Sequence, residues 1–186
     1  MAVADIEAPT ADAVSGSAIT IPAIAEDGSL YPIEKLEAHR RGIQHLAISV
    51  FVFSRDRLLI QRRAMDKYHC GGLWANTCCT HPHWGESPEA SAPRRLREEL
   101  GITGLTLEPL GIIDYRAEVG GGLIENERVH MFRAVADVVE LCPNPEEVCD
   151  TRWVTLPDLV SEVRATPQAF TPWFRIYIDQ WAEMWG

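Results

Sequence analysis

The stretch SPEASAPRRLREELGI, residues 87–102, is punctuated at both ends as a single helix. Ser87 suits the N-cap, Pro88 the first turn, and Glu89 the positive end of the helix dipole. Gly101 suits the C-terminal cap. Arg94 and Glu98, and likewise Arg95 and Glu99, are four apart and so meet on neighbouring turns. Taken alone, the pairs fit a solvated face as well as they fit a functional one. Pro93 removes one backbone donor from the middle of the element and predicts a bend there.

Upstream of this helix, IQHLAISVFVF (43–53) is rich in β-branched and aromatic residues and reads as a buried strand. LLIQRR (58–63) reads as its hairpin partner across the polar turn SRDR. Before them, EKLEAHRR fits either a short helical turn or a loop. The CGG at 70–72 interrupts regular structure, and LWANTCC resumes an extended run. Downstream, LTLEPLGIIDYRA predicts a strand region ending near Tyr115, and the glycines 120–122 predict a turn into the strand ENERVHMFRAVAD. VCDTRWVTL predicts another strand, LPDLVSEVRA has helical apolar spacing, and PQAFTPWFRIYIDQWAEMWG carries three tryptophans on a final helix. Strands before and after helices, without regular alternation, predict an α+β fold with a mixed or antiparallel sheet packed between helices.

A chain of 186 residues with 46% hydrophobic content suits one well-packed domain. The segment 1–29, rich in alanine, hydroxyl and acidic side chains at its start, is expected to be a flexible tail, with a single domain over 30–186. A net charge of −10 and a pI near 5.0 argue against a nucleic-acid binder. Any anionic ligand must then be held by a local basic cluster or a metal. Five cysteines, at 70, 78, 79, 142 and 149, form no regular disulfide framework. There is no apolar run long enough to span a bilayer and no secretory start, so a soluble, cytoplasmic protein without a membrane partner is expected; it is also expected to be a monomer.

The chemistry concentrates around NTCCTHP, residues 76–82. If this stretch is extended, residues two apart share a face, so Cys79 and His81 point together while Cys78 takes the other side. The same parity aligns Glu125 with Glu127. With His39 and His45 upstream, a thiol, three imidazoles and two carboxylates can converge. A lone histidine is more often an ordinary surface or core residue, and buried cysteines are usually inert packing. The joint set shifts that balance. Two carboxylates on one face repel unless a cation or proton lies between them, and the nitrogen and oxygen donors suit a borderline divalent metal such as Zn, Mn or Fe.

Glu86, seven residues, Arg94 and then LREELGI match the latter part of a Nudix box, in which a helix presents glutamates to Mg²⁺ on a diphosphate. Two positions depart from it: Thr80 stands where the box has Gly, and Arg95 where it has Glu. An arginine there favours holding a diphosphate over cleaving it. Together with QRRAMDK, GLWANTCCTHP, DYRA, GGLIENE and TPWF, in that order and spacing, the chain from about Leu30 onward resembles the type I isopentenyl-diphosphate isomerases, which have a Nudix-like fold.

This resemblance implies Cys79 and Glu127 as the two acid/base groups, with Tyr115 beside Glu127. It implies His39, His45, His81, Glu125 and Glu127 as ligands of a divalent metal, Mn²⁺ or Zn²⁺, and Glu99 as the ligand of a Mg²⁺ bound with the substrate diphosphate. Arg63, Lys67 and Arg95 fall on diphosphate-binding positions and Trp173 on the aromatic wall. His39 and His45 are six apart, where the family pattern has seven. The implied reaction moves a double bond between isopentenyl and dimethylallyl diphosphate through a tertiary cation. An aromatic face beside that cation is worth roughly 0.5–2 kcal/mol. The alternatives are a Nudix pyrophosphohydrolase acting on a nucleoside or isoprenoid diphosphate, and a non-catalytic module built on structural zinc.

Overall fold

The computed structural model describes the backbone of residues 19–184 and side chains through residue 180. The long strand β3 (His45–Ser54) is the centre of the sheet. It opens with eight consecutive buried residues, as a strand covered on both faces should. A tight turn with Arg55 at φ 55° leads into β4 (Arg57–Arg63), and Phe53 pairs with Leu58 as a hairpin register requires.

On one side β3 pairs in parallel with β8 (Leu123–Val135), from His45 opposite Glu127 through Phe53 opposite Val135. β8 pairs antiparallel with β7 (Glu108–Gly120) through the glycine turn at 120–122, where all three glycines have positive φ. On its other side β3 meets the short β6 (Cys78–Thr80), with Ser49 opposite Cys79. β4 pairs with β5 (Trp74–Ala75) and with β9 (Val148–Thr155). The sheet is therefore mixed, as the sequence led us to expect. β7 runs five residues beyond Tyr115, further than its sequence suggested, because Ala117 to Gly120 continue the ladder with β8.

Helices cover both faces. α2 (Pro88–Leu100) has the Ser87 and Gly101 caps expected, with Gly101 left-handed at φ 69°. Its Ala92, Leu96 and Leu100 pack with Cys78, Ile48, Val50 and Val52 on one face of the sheet. Pro93 is contained within the helix without ending it. On the opposite face α3 (Leu156–Ala165) and α4 (Pro172–Met184) cover Phe51, Leu58, Ile60, Val129 and Met131. Of the three tryptophans in the last segment, Trp173 is buried, and the side chains of Trp181 and Trp185 lie outside the described residues.

One boundary needs correcting. The expected tail over 1–29 extends too far, because β1 (Thr20–Ile24) joins the sheet between β3 and β2 (Leu30–Glu34). Ile21 and Ala23 are completely buried against Ile33 and Ala38. These few apolar contacts anchor a segment whose polar neighbours concealed it. The first 18 residues lie outside the described part. The ambiguous EKLEAHRR forms α1 (Lys35–Arg41), whose first turn is capped by the Glu34 carboxylate, with Gly42 left-handed at its end.

Candidate active site

Strand register assembles the site. Tyr115 on β7 lies directly opposite Glu127 on β8, and Glu127 directly opposite His45 on β3. Directly paired residues share a sheet face, and Glu125, two residues along, joins them. Burial along β8 alternates as this requires, with Leu123, Glu125, Glu127 and Val129 buried. From the other flank of β3, β6 sends Cys79 into the same cavity and Cys78 into the core beneath α2. The parity expected for Cys79 and His81 is the one observed.

Tyr115 Oη stands 2.7 Å from Glu127 Oε2 and 2.8 Å from Glu125 Oε2. A phenol has one proton to donate, so it satisfies one carboxylate at a time. Both glutamates are at most 5% exposed, and two bare negative charges at this spacing would be costly. Burial and the neighbouring Glu127 push Glu125 well above the usual carboxylate range. Burial acts on Glu127 too, but the neighbouring His45 ring and the hydrogen bond with His81 outweigh it and hold that carboxyl low.

The imidazoles beside them are oriented by backbone carbonyls. His39 Nδ1 lies 2.7 Å from the Lys35 carbonyl and His45 Nδ1 2.7 Å from the Ile43 carbonyl, so each Nδ1 donates and each Nε2 keeps its lone pair. Both Nε2 atoms are buried without a hydrogen-bond partner. His81 Nε2 is 2.9 Å from Glu127 Oε1. Burial lowers His39 to about 4 and takes His81 well below its ordinary value. Donor atoms of His39, His45, His81 and Glu127 all lie within 4.8 Å of one another, and those of His39, His69 and Glu125 form a second such group. Orphaned lone pairs facing paired carboxylates fit a divalent cation. The left-handed Gly42 lies between His39 and His45, whose rings are 4.9 Å apart.

The same cavity is lined by Arg63, Lys67, Arg95, Glu99 and Trp173, every one expected from the sequence. His39 and His45 stand just behind the lining, fully buried. Arg95 Nε is 2.8 Å from Glu99 Oε1, and Gln61 Nε2 donates to Glu99 Oε2 at 2.7 Å. Burial raises Glu99 despite these partners. Arg63 lies over Trp173, 5.4 Å from the ring centroid. Burial pushes the Cys79 thiol far up, opposed mainly by Arg63, so the resting group keeps its proton. Glu86 takes no part in the cavity. It accepts two hydrogen bonds from Arg94 and one from the His83 backbone, tying the preceding loop to α2.

The sequence matches the NUDIX domain family over residues 43–174. It is 56% identical over 165 residues to the isopentenyl-diphosphate Delta-isomerase of Rhodobacter capsulatus, covering 88% of this chain and 93% of that protein. It is 60% identical over 153 residues to one from Cereibacter sphaeroides, covering 82% and 86%. The chain belongs to the isopentenyl-diphosphate Delta-isomerase family. Among solved structures, DR0079 from Deinococcus radiodurans superposes with a TM-score of 0.71 at 15% identity, covering 87% of this chain and 98% of that one. A MutT protein from Methanosarcina mazei gives 0.61 at 17% identity, covering 76% and 94%. At such identities these two show the Nudix fold and nothing further.

In this isomerase-family chain, several cavity residues escaped the sequence reading: Lys35, Tyr68, His69, Glu147 and Tyr177. Lys35 precedes His39 by four on α1 and so shares its face, a signal that was available. Glu147, which accepts from Lys67 and lies 2.5 Å from Arg95, comes from an irregular loop and gave none.

Proposed function

We propose that the chain interconverts isopentenyl and dimethylallyl diphosphate by protonation and deprotonation through a tertiary carbocation. The observation that carries this is one cavity lined at once by the Cys79 thiol, a phenol-linked carboxylate pair and Trp173. Moving a double bond by one carbon needs a proton added at one end of a three-carbon unit and another removed at the other. Cys79 and Glu127 come from strands flanking β3 on opposite sides, and in this reading they exchange those two protons, with Tyr115 holding the Glu127 carboxylate in position. Trp173 gives its face to the cationic carbon and keeps water away from it.

The diphosphate is held by Arg63, Lys67 and Arg95, with Glu99 as ligand of an accompanying Mg²⁺. His39, His45, His81, Glu125 and Glu127 would hold a second divalent ion, Mn²⁺ or Zn²⁺. A cation there supplies charge that lets the two carboxylates coexist and strengthens the acid they share. No helix among the described residues is long and apolar enough to cross a membrane. Arg95 in place of a box glutamate disfavours the pyrophosphohydrolase reading.

Incubation with isopentenyl diphosphate and Mg²⁺, assayed together for the isomer and for free phosphate or pyrophosphate, tests this directly. Isomer without phosphate release is expected. Release of phosphate or pyrophosphate without isomer would overturn the proposal in favour of hydrolysis.

A further inference from the structure

The loop joining β4 to β5 is wound tightly. The Arg63 and Leu73 backbones close it, Cys70 has a positive φ of 52°, and a Cβ on Gly71 would meet the Met65 carbonyl oxygen at 2.3 Å. A non-glycine residue rarely takes such a φ, and a glycine without room for a Cβ marks backbone in close contact. The result is that His69 is held inward, 8% exposed, against His39 and the edge of Trp173.

His69 is buried without the hydrogen bonds an imidazole needs. Nδ1 has no partner, and Nε2 stands 3.9 Å from Glu125 Oε1, too far for a hydrogen bond. Burying an unpaired polar group is costly unless something else satisfies it.

We propose that His69 is a further protein ligand of the divalent ion held by the histidines and glutamates, entering beside Glu125. The inference rests on the metal site proposed above. His69 and Glu125 stand in the same relation to that site: each clusters with His39, within 4.8 Å, and not with the group of His45, His81 and Glu127. Geometry that admits Glu125 as a ligand therefore admits His69. The two clusters serve one ion, because His39 Nδ1 is committed to the Lys35 carbonyl and its Nε2 has a single lone pair to give. The shell then contains four imidazoles and two carboxylates.

The test is Mn²⁺ binding to the metal-stripped full chain, followed by chelator competition and by counting coordinated imidazole nitrogens with pulsed electron paramagnetic resonance. His69→Ala and His69→Gln are compared with wild type and with His81→Ala. Wild type should bind one ion with four imidazole nitrogens. His69→Ala should still bind one ion, at least tenfold more weakly, with three, and His69→Gln, which offers an oxygen donor, should recover part of the affinity. Circular dichroism of the stripped variants separates ligand loss from misfolding. Unchanged affinity and nitrogen count in both His69 variants would overturn the assignment, as would two ions per chain. If wild type bound none, or His81→Ala lost nothing, the metal site itself would fall.

Discussion

Arg95 stands 2.8 Å from Glu99, so a cation occupies the α2 position at which the Nudix box places a second metal-binding carboxylate. It also reaches Glu147 at 2.5 Å and Glu98 at 3.3 Å, which makes it the hub of an acidic set that runs from buried Glu99 through half-buried Glu147 to exposed Glu98. Arg95→Glu would restore the box but set four carboxylates together and remove a diphosphate anchor. Losing such a charge-assisted contact costs on the order of 1.5–3 kcal/mol. Weaker substrate binding without efficient pyrophosphate release is expected. Steady-state kinetics with a pyrophosphate assay checks it, and robust hydrolysis would remove Arg95 from the diphosphate site.

His81→Ala should lower bound metal more than Cys79→Ala. His81 shares a cluster with His39, His45 and Glu127, whereas Cys79 belongs to neither metal-ligating group among the described residues. Elemental analysis of the two purified variants decides the matter. Equal metal loss would make Cys79 a ligand and favour a closed structural zinc site.

The metal-stripped protein should lose stability in mild acid. Above pH 6.5 the His39 and His69 imidazoles are neutral in both folded and unfolded chains, so stability does not depend on them. Below it the unfolded chain takes up protons that the folded chain refuses until about pH 4 at His39 and about pH 3 at His69. Stability therefore falls as pH drops through this window, by roughly 1–3 kcal/mol per buried imidazole. Urea titrations between pH 7 and 4 measure it. A flat profile would mean that the rings are hydrated rather than buried.

The parts of the fold legible in the sequence are those fixed by local rules. Ser87 and Gly101 bound α2 because caps are local chemistry, and strand pleating alone put Cys79 with His81 and Glu125 with Glu127. β1 was missed because Ile21 and Ala23 find their partners, Ile33 and Ala38, only after the chain has turned back on itself. His69 was missed for a related reason. Its inward placement depends on Cys70 and Gly71 adopting a loop conformation that no periodicity reports.

The two-proton mechanism can be tested in D₂O. Wild-type protein should place deuterium at the exchanging carbons of the isoprenoid, because both acid/base groups equilibrate with solvent. Cys79→Ala and Glu127→Gln should each stop isomerisation while leaving the fold intact, since neither removes a large apolar side chain from the core. They should differ in what they retain. Glu127 lies in the metal-ligating cluster and accepts from Tyr115 and His81, so Glu127→Gln should weaken metal binding as well. Cys79→Ala disturbs neither that cluster nor the basic residues around Glu99, and should still bind metal and a diphosphate with Mg²⁺. A Cys79→Ala protein with near wild-type turnover and unchanged deuterium uptake would take the thiol out of the mechanism and leave the carboxylate–phenol set to move both protons.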